Sequence, residues 1–149
     1  MKYGLILLVI LYFFTCSSSL RAEVLANSEI FVNIKDEGIG VFIRDQVTGS
    51  CWARAASSEN KAITALRQYG LYNGNSQYTL GISAIGFKNV QLCIVSLDLQ
   101  LYSWIQPFGI ALHASSETLM SGGEQSEQIN LQVEEFIEEI IAAFAKAGL

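Results

Sequence analysis

The sequence predicts an α+β domain. We expect a two-layer sandwich in which an antiparallel five-stranded sheet carries two helices on one face, in the chain order β-β-α-β-β-β-α. Three segments between residues 78 and 120 alternate apolar and polar residues, which is the period of a half-buried strand. After residue 126 the apolar residues recur at helical spacing, as in an amphipathic helix that covers a core.

The first 22 residues have the composition of a signal segment. Lys2 precedes an unbroken apolar stretch from Tyr3 to Phe14, and small and polar residues follow up to Ser19, as in a secretory leader. Twelve apolar residues are too few to span a bilayer. We therefore expect residues 1–22 to be a signal segment and residues 23–149 to form a single α+β domain without a membrane span.

The processing of this leader has three possible outcomes. The Leu20–Ala22 segment has a large residue where a small one is preferred, whereas Ser17 and Ser19 fit the small-x-small rule. Cys16 follows the apolar stretch directly and allows a lipid anchor, as in bacterial lipoproteins. We expect a periplasmic or secreted protein, with a membrane-anchored lipoprotein as the alternative. The lack of an Asn-x-Ser/Thr sequence agrees with a bacterial envelope.

Two β-rich runs open the domain, at Ile30–Ile34 and Ile39–Ile43. The turn-forming residues Lys35–Gly38 lie between them, so the pattern predicts a hairpin. A helix is predicted over residues 57–69, because serine is a preferred N-cap residue and a glycine such as Gly70 commonly ends a helix.

Three strands follow, predicted over Tyr78–Phe87, Val90–Trp104 and Phe108–Met120. The middle run is apolar on both faces at first and then alternates leucine with polar residues. This pattern is typical of a strand inside a sheet. Pro107 lies in the last connection, where its missing N–H does little harm.

The final segment is an amphipathic helix that Ser126 can cap. Its apolar stripe consists of Ile129, Val133, Phe136, Ile137, Ile140, Ile141 and Phe144. Four acidic residues lie on the far side: Glu134, Glu135, Glu138 and Glu139. They indicate a solvated face. The alternative is a site for a basic partner or a cation, because like charges four residues apart repel.

Cys51 and Cys93 are an even pair in a chain destined for an oxidising compartment, so they predict a disulfide. The loop-entropy model gives about 4 kcal/mol for such a bridge as an upper estimate. A redox-active pair is the alternative, but such cysteines usually lie two residues apart. We expect Trp52 to pack against the bridge.

The charge balance narrows the range of partners. Loss of Lys2 and Arg21 with the leader leaves seven basic residues against 14 acidic ones, a net charge of −7 with histidine neutral. Such acidity argues against nucleic acid and anionic membranes as partners. The sequence contains no phosphate-binding glycine loop, dinucleotide fingerprint or zinc spacing. We therefore expect no cofactor and no metal.

The aromatic residues Tyr102, Trp104 and Phe108 surround the connection between the last two strands. These side chains can plug one end of the sandwich, which is the favoured interpretation. Because aromatic side chains on a loop are also typical anchors of a binding surface, the same three are the candidate partner contacts.

His113 is the only histidine and lies near Ser115, Ser116 and Glu117. A hydrolase would need it as a general base, but serine nucleophiles usually occupy a glycine-flanked turn and no Gly-x-Ser-x-Gly element occurs. We therefore predict no catalytic residue and no enzyme activity.

These observations favour a non-catalytic protein-binding accessory or inhibitor module of the bacterial envelope, whose partner is another envelope or secreted protein. A small-ligand carrier with a pocket between sheet and helices is the alternative. A hydrolase that uses His113 is a third hypothesis.

Overall fold

A computed structural model describes residues 28–105 and 108–147. The signal segment predicted at residues 1–22, Cys16 and Pro107 lie outside the described residues. The described elements are helix α1 (Ser28–Glu37), strand β1 (Gly40–Val47), helix α2 (Ala55–Gln68), strands β2 (Tyr78–Asn89), β3 (Leu92–Ile105) and β4 (Phe108–Ser121), and helix α3 (Ser126–Lys146). None of these helices combines the length and apolar character needed to cross a bilayer.

The strands form one mixed sheet in the order β1-β2-β3-β4. β1 is parallel to β2, whereas β2 with β3 and β3 with β4 are antiparallel. The α+β class is confirmed, and so are the three strands predicted from Tyr78 onward. The predicted five-stranded antiparallel sheet is wrong, because the described residues form four strands and one pair is parallel.

The segment predicted as the first strand, Ile30–Ile34, is part of helix α1. Phe31 and Ile34 are buried whereas Val32 is exposed, so burial follows the helical spacing and not the alternation of a strand. The Phe31 ring contacts the Phe144 ring of α3 edge to face, with 5.0 Å between centroids. This packing outweighs the β propensity of the segment, which is a context-dependent preference.

Gly38 ends α1, so the predicted hairpin turn at Lys35–Gly38 is also wrong. Its N–H donates to the Ile34 carbonyl at 2.7 Å, and its φ of +79° is the left-handed conformation common after a helix. A Cβ at this position would lie 2.8 Å from that of Asn73. The second predicted strand overlaps β1, which begins one residue later, at Gly40. Because α2 lies between β1 and β2, the two strands are joined by a crossover and run parallel.

All three helices pack on one face of the sheet, since their apolar residues and alternate residues of β2 and β3 form one buried cluster. The predicted helix over residues 57–69 corresponds to α2, and the predicted final helix to α3. α3 buries most of the predicted stripe: Ile129, Val133, Phe136, Ile137, Ile140 and Phe144. The two-layer arrangement therefore has its core between the helices and one face of the sheet.

The predicted disulfide between Cys51 and Cys93 is confirmed, with 5.5 Å between the Cα atoms. The backbone N–H of Gln125 donates to the Cys51 carbonyl at 2.8 Å, and its side-chain Nε2 donates to the Cys93 carbonyl at 2.8 Å. Trp52 is buried in the same core cluster, and its Nε1 donates to Ser58 Oγ at 3.2 Å. These contacts tie the segment before α2, the start of β3 and the start of α3 together.

Candidate binding site on the open face of the sheet

The face of the sheet turned away from the helices is uncovered by any element of the described chain, and we call it the open face. Residues paired in register on neighbouring strands share a face, so the pairing defines its members. Among its side chains are Phe42 and Arg44 of β1, Ser83, Ile85 and Phe87 of β2, Ile94, Asp98, Gln100, Tyr102 and Trp104 of β3, and Ser116 and Met120 of β4.

Three aromatic side chains lie at one end of the open face. Tyr102 and Trp104 are in edge-to-face contact, with 5.5 Å between ring centroids. Phe42 of β1 is 54% exposed and Trp104 is 55% exposed. The three residues line a hollow of about 310 Å³ together with Gly40, Val41, Gly74 and Thr79. The backbone N–H of Trp104 donates to the Gln77 carbonyl at 3.0 Å, which holds this end of β3 in place.

A second hollow, of about 230 Å³, lies beside the aromatic end. Gly81 is among its lining residues, and a Cβ at this position would lie 3.0 Å from Cε1 of Tyr102. Glycine therefore lets the Tyr102 ring lie close to the sheet. Arg44, Asp98 and Gln100 supply polar atoms to the same hollow. Gln100 Nε2 donates to Asp98 Oδ2 at 3.0 Å, which orients the carboxylate.

The middle of the open face is a polar row. Arg44 pairs with Ser83, Ser83 with Asp98, and Asp98 with Ser116. The opposite charges of Arg44 and Asp98 are thus two strands apart, which is about 10 Å at the usual strand spacing. One positive and one negative side chain lie at the same level of the sheet, each with a serine beside it.

The far end of the open face is apolar. Phe87 pairs with Ile94, and Ile94 pairs with Met120, so three apolar side chains form a row across three strands. Ile85 lies one row nearer the middle. Ile85 is 59%, Phe87 53% and Met120 62% exposed. The open face therefore has an aromatic end, a polar middle and an apolar end.

The structure brings together two of the three aromatic residues that are candidate partner contacts. Tyr102 and Trp104 both lie on the open face. Phe108 begins β4, but its side chain lies outside the part of the chain that the structure describes. Sequence reasoning missed Phe42 and Arg44, because their place on the open face depends on the parallel pairing of β1 with β2.

His113 lies on the opposite side of the sheet, towards α3. Its ring is stacked on Phe136, with 4.8 Å between centroids, and its Nε2 lies 3.1 Å from Glu139 Oε2. The side chain is 19% exposed. His113 of β4 therefore packs against α3.

The four glutamates predicted to form the acidic side of α3 occupy different surroundings. Glu134 accepts a hydrogen bond from Lys61 Nζ of α2 at 2.7 Å, and Glu139 contacts His113. Glu135 and Glu138 are exposed. Within residues 28–105 and 108–147, no group of three His, Cys, Asp or Glu side chains is arranged to hold a metal ion.

Tyr78 is a titratable group with a shifted pKa at the sheet end near α1. Burial raises the pKa of its phenol above the ordinary value of 10.0, and the neighbouring Glu37 carboxylate raises it further. A hydrogen bond with Asn33 acts in the opposite direction. The phenol is therefore held in its neutral form.

Comparison with known proteins gives a limited result. No family model matches the sequence, and no curated protein matches it. Among solved structures, two PelC dodecamers from Paraburkholderia phytofirmans are similar at 14% sequence identity, with TM-scores of 0.42 and 0.44. Each match covers 66% of this chain and 83% of the other. A likeness of this degree carries no functional information.

Proposed function

We propose that this chain is an exported, non-catalytic protein-binding module of the bacterial envelope, and that it binds through the open face. The observation that carries the proposal is the exposure of large apolar side chains on this single face, namely Phe42, Ile85, Phe87, Trp104 and Met120. Clusters of exposed apolar side chains are typical of interaction sites, and the open face has one cluster at each end.

The aromatic end provides the anchors for such a contact. Tryptophan, tyrosine and arginine are the residues most enriched among those that dominate binding energy, and the open face has Trp104, Tyr102 and Arg44. The polar row adds charges whose pairing with a partner sets orientation and specificity.

Export is supported by the leader pattern and by the Cys51–Cys93 disulfide, since such bonds persist in oxidising compartments. We therefore propose a periplasmic or secreted location, with lipid attachment at Cys16 as the alternative. The proposed partner is an envelope or secreted protein.

Two observations favour protein binding at the open face over the other hypotheses. Of the two hollows on this face, one of about 230 Å³ lies below the range of small-ligand pockets and one of about 310 Å³ lies at its lower limit, since such pockets span roughly 300–1,000 Å³. A shallow surface of this kind suits a protein better than a carried small molecule. His113 is packed against Phe136 and Glu139 on the other side of the sheet, which supports a structural role for it.

Site-specific photocrosslinking in cells that export the protein tests this proposal. A p-benzoylphenylalanine group is introduced at Phe42 in one variant and at Leu131 in another. Leu131 is a matched control, because it is 53% exposed on α3, in the helix layer. We expect protein adducts from position 42 and none from position 131 after irradiation. Equal adduct yields from both positions, or none from position 42, would contradict binding through the open face.

A further inference from the structure

We infer that the partner of the open face is a second copy of this chain, and that two copies pack face to face about a two-fold axis parallel to the strands, between β2 and β3. This inference rests on the proposed function, since it names the partner of the same surface. It follows from three properties of the open face: its area, the distribution of large and small side chains, and the positions of Arg44 and Asp98.

The area is sufficient for a specific dimer. Along β3 the open face extends from Ile94 to Trp104, about 34 Å, and its four strands span about 19 Å. This amounts to roughly 600 Å² per copy, so two copies bury about 1,200 Å², the lower limit of standard interfaces. Because the described helices all lie on the other face, two open faces can approach to the usual sheet separation of about 10 Å.

The two-fold axis places large side chains opposite small ones at the aromatic end, and apolar side chains opposite apolar ones at the other end. Rotation about this axis places β1 opposite β4 of the second copy, and β2 opposite β3 of the second copy. Each residue keeps its position along the strand direction, so it faces a residue that shares its row across the sheet. Phe42 then faces Ala114 of the other copy, and Tyr102 faces Thr79. At the apolar end, Phe87 faces Ile94. Both ends of the open face are therefore covered by complementary residues.

The charges select this axis over the other possible one. With the axis along the strands, Arg44 faces Ser116 of the second copy and lies one strand away from that copy's Asp98. Within one copy the same two charges are two strands apart. The long arginine side chain can cross the gap between the sheets, and symmetry makes the pair twice. A two-fold axis across the strands through this row would instead oppose Arg44 to Arg44 and Asp98 to Asp98, which is repulsive.

Sedimentation equilibrium on the protein purified from cells that export it tests the inference. We expect the wild type to be a dimer at about 100 µM. Arg44→Glu alone and Asp98→Arg alone each oppose two like charges across the interface, so each should weaken the dimer at least tenfold. An equimolar mixture of the two variants should regain dimers of near wild-type affinity, because each copy then offers the charge that the other needs.

Lys61→Glu is the control, since Lys61 pairs with Glu134 between α2 and α3 on the helix side, and it should leave the dimer unchanged. Circular dichroism of each variant checks that its monomer is folded. Two weakened variants that do not recover on mixing would overturn the inference. A monomeric wild type would also overturn it, while crosslinks from position 42 to a different protein would leave the proposed function standing. A monomer without crosslinks from that position would refute both.

Discussion

Replacement of Phe31 tests whether the first described segment is a helix that closes the core. Phe31 is 4% exposed and contacts Phe144, whereas the adjacent Val32 is 39% exposed. Phe31→Ala removes a buried aromatic ring, and such changes cost about 3–5 kcal/mol. Val32→Ala removes partly solvated methyl groups from a helix, so it should change the free energy of unfolding by at most about 0.5 kcal/mol.

Urea denaturation followed by circular dichroism measures both changes. The denaturation midpoints of the variants and the wild type are compared where the m-value, the dependence of the free energy of unfolding on urea concentration, is the same. The double variant Phe31→Ala, Phe144→Ala should be less destabilised than the sum of the single variants by about 1 kcal/mol, because the two rings interact. A larger loss from Val32→Ala than from Phe31→Ala would refute the helical assignment, since Val32 would then face the core.

Three further predictions concern other elements. Cys51→Ser with Cys93→Ser should lower the free energy of unfolding by up to about 4 kcal/mol in urea titrations, since the bridge closes a separation of 42 residues. Burial raises the pKa of Tyr78 above the ordinary phenol value of 10.0. The stability that the neutral phenol contributes to the fold is therefore complete below the unfolded-state pKa and is lost as the pH rises through the folded-state pKa. Tyr78→Phe should therefore lose less stability than the wild type between about pH 8 and about pH 11. Val90 has φ +51° in the β2–β3 turn and is 87% exposed. Val90→Gly should raise the thermal midpoint, with a gain of about 1 kcal/mol from relieved backbone strain.

The sequence predicts the elements whose apolar period is long and regular. β2, β3, β4 and α3 each span 12 residues or more, so many positions support the same period. The run at Ile30–Ile34 is too short to separate a strand from a helix, and its packing partner Phe144 is more than a hundred residues away. Neither the local propensity of this run nor the composition of the turn after it carries information about that contact.

The candidate site was predictable only where its residues are neighbours in sequence. Tyr102 and Trp104 alternate along one strand, so their common face follows from the two-residue period. Phe42, Arg44 and Asp98 join them through the register of β1 with β2 and of β2 with β3. A sequence alone does not fix that register when the pairing is parallel and the connection includes a helix.

The contact between Phe31 and Phe144 joins the first and the last described helices. Chain synthesis proceeds from the amino terminus, so α3 is made last among the described elements. The strands and both disulfide cysteines are made before it, and their apolar side chains then still lack the helix that covers them. The core of the described chain therefore closes only when its last helix is present.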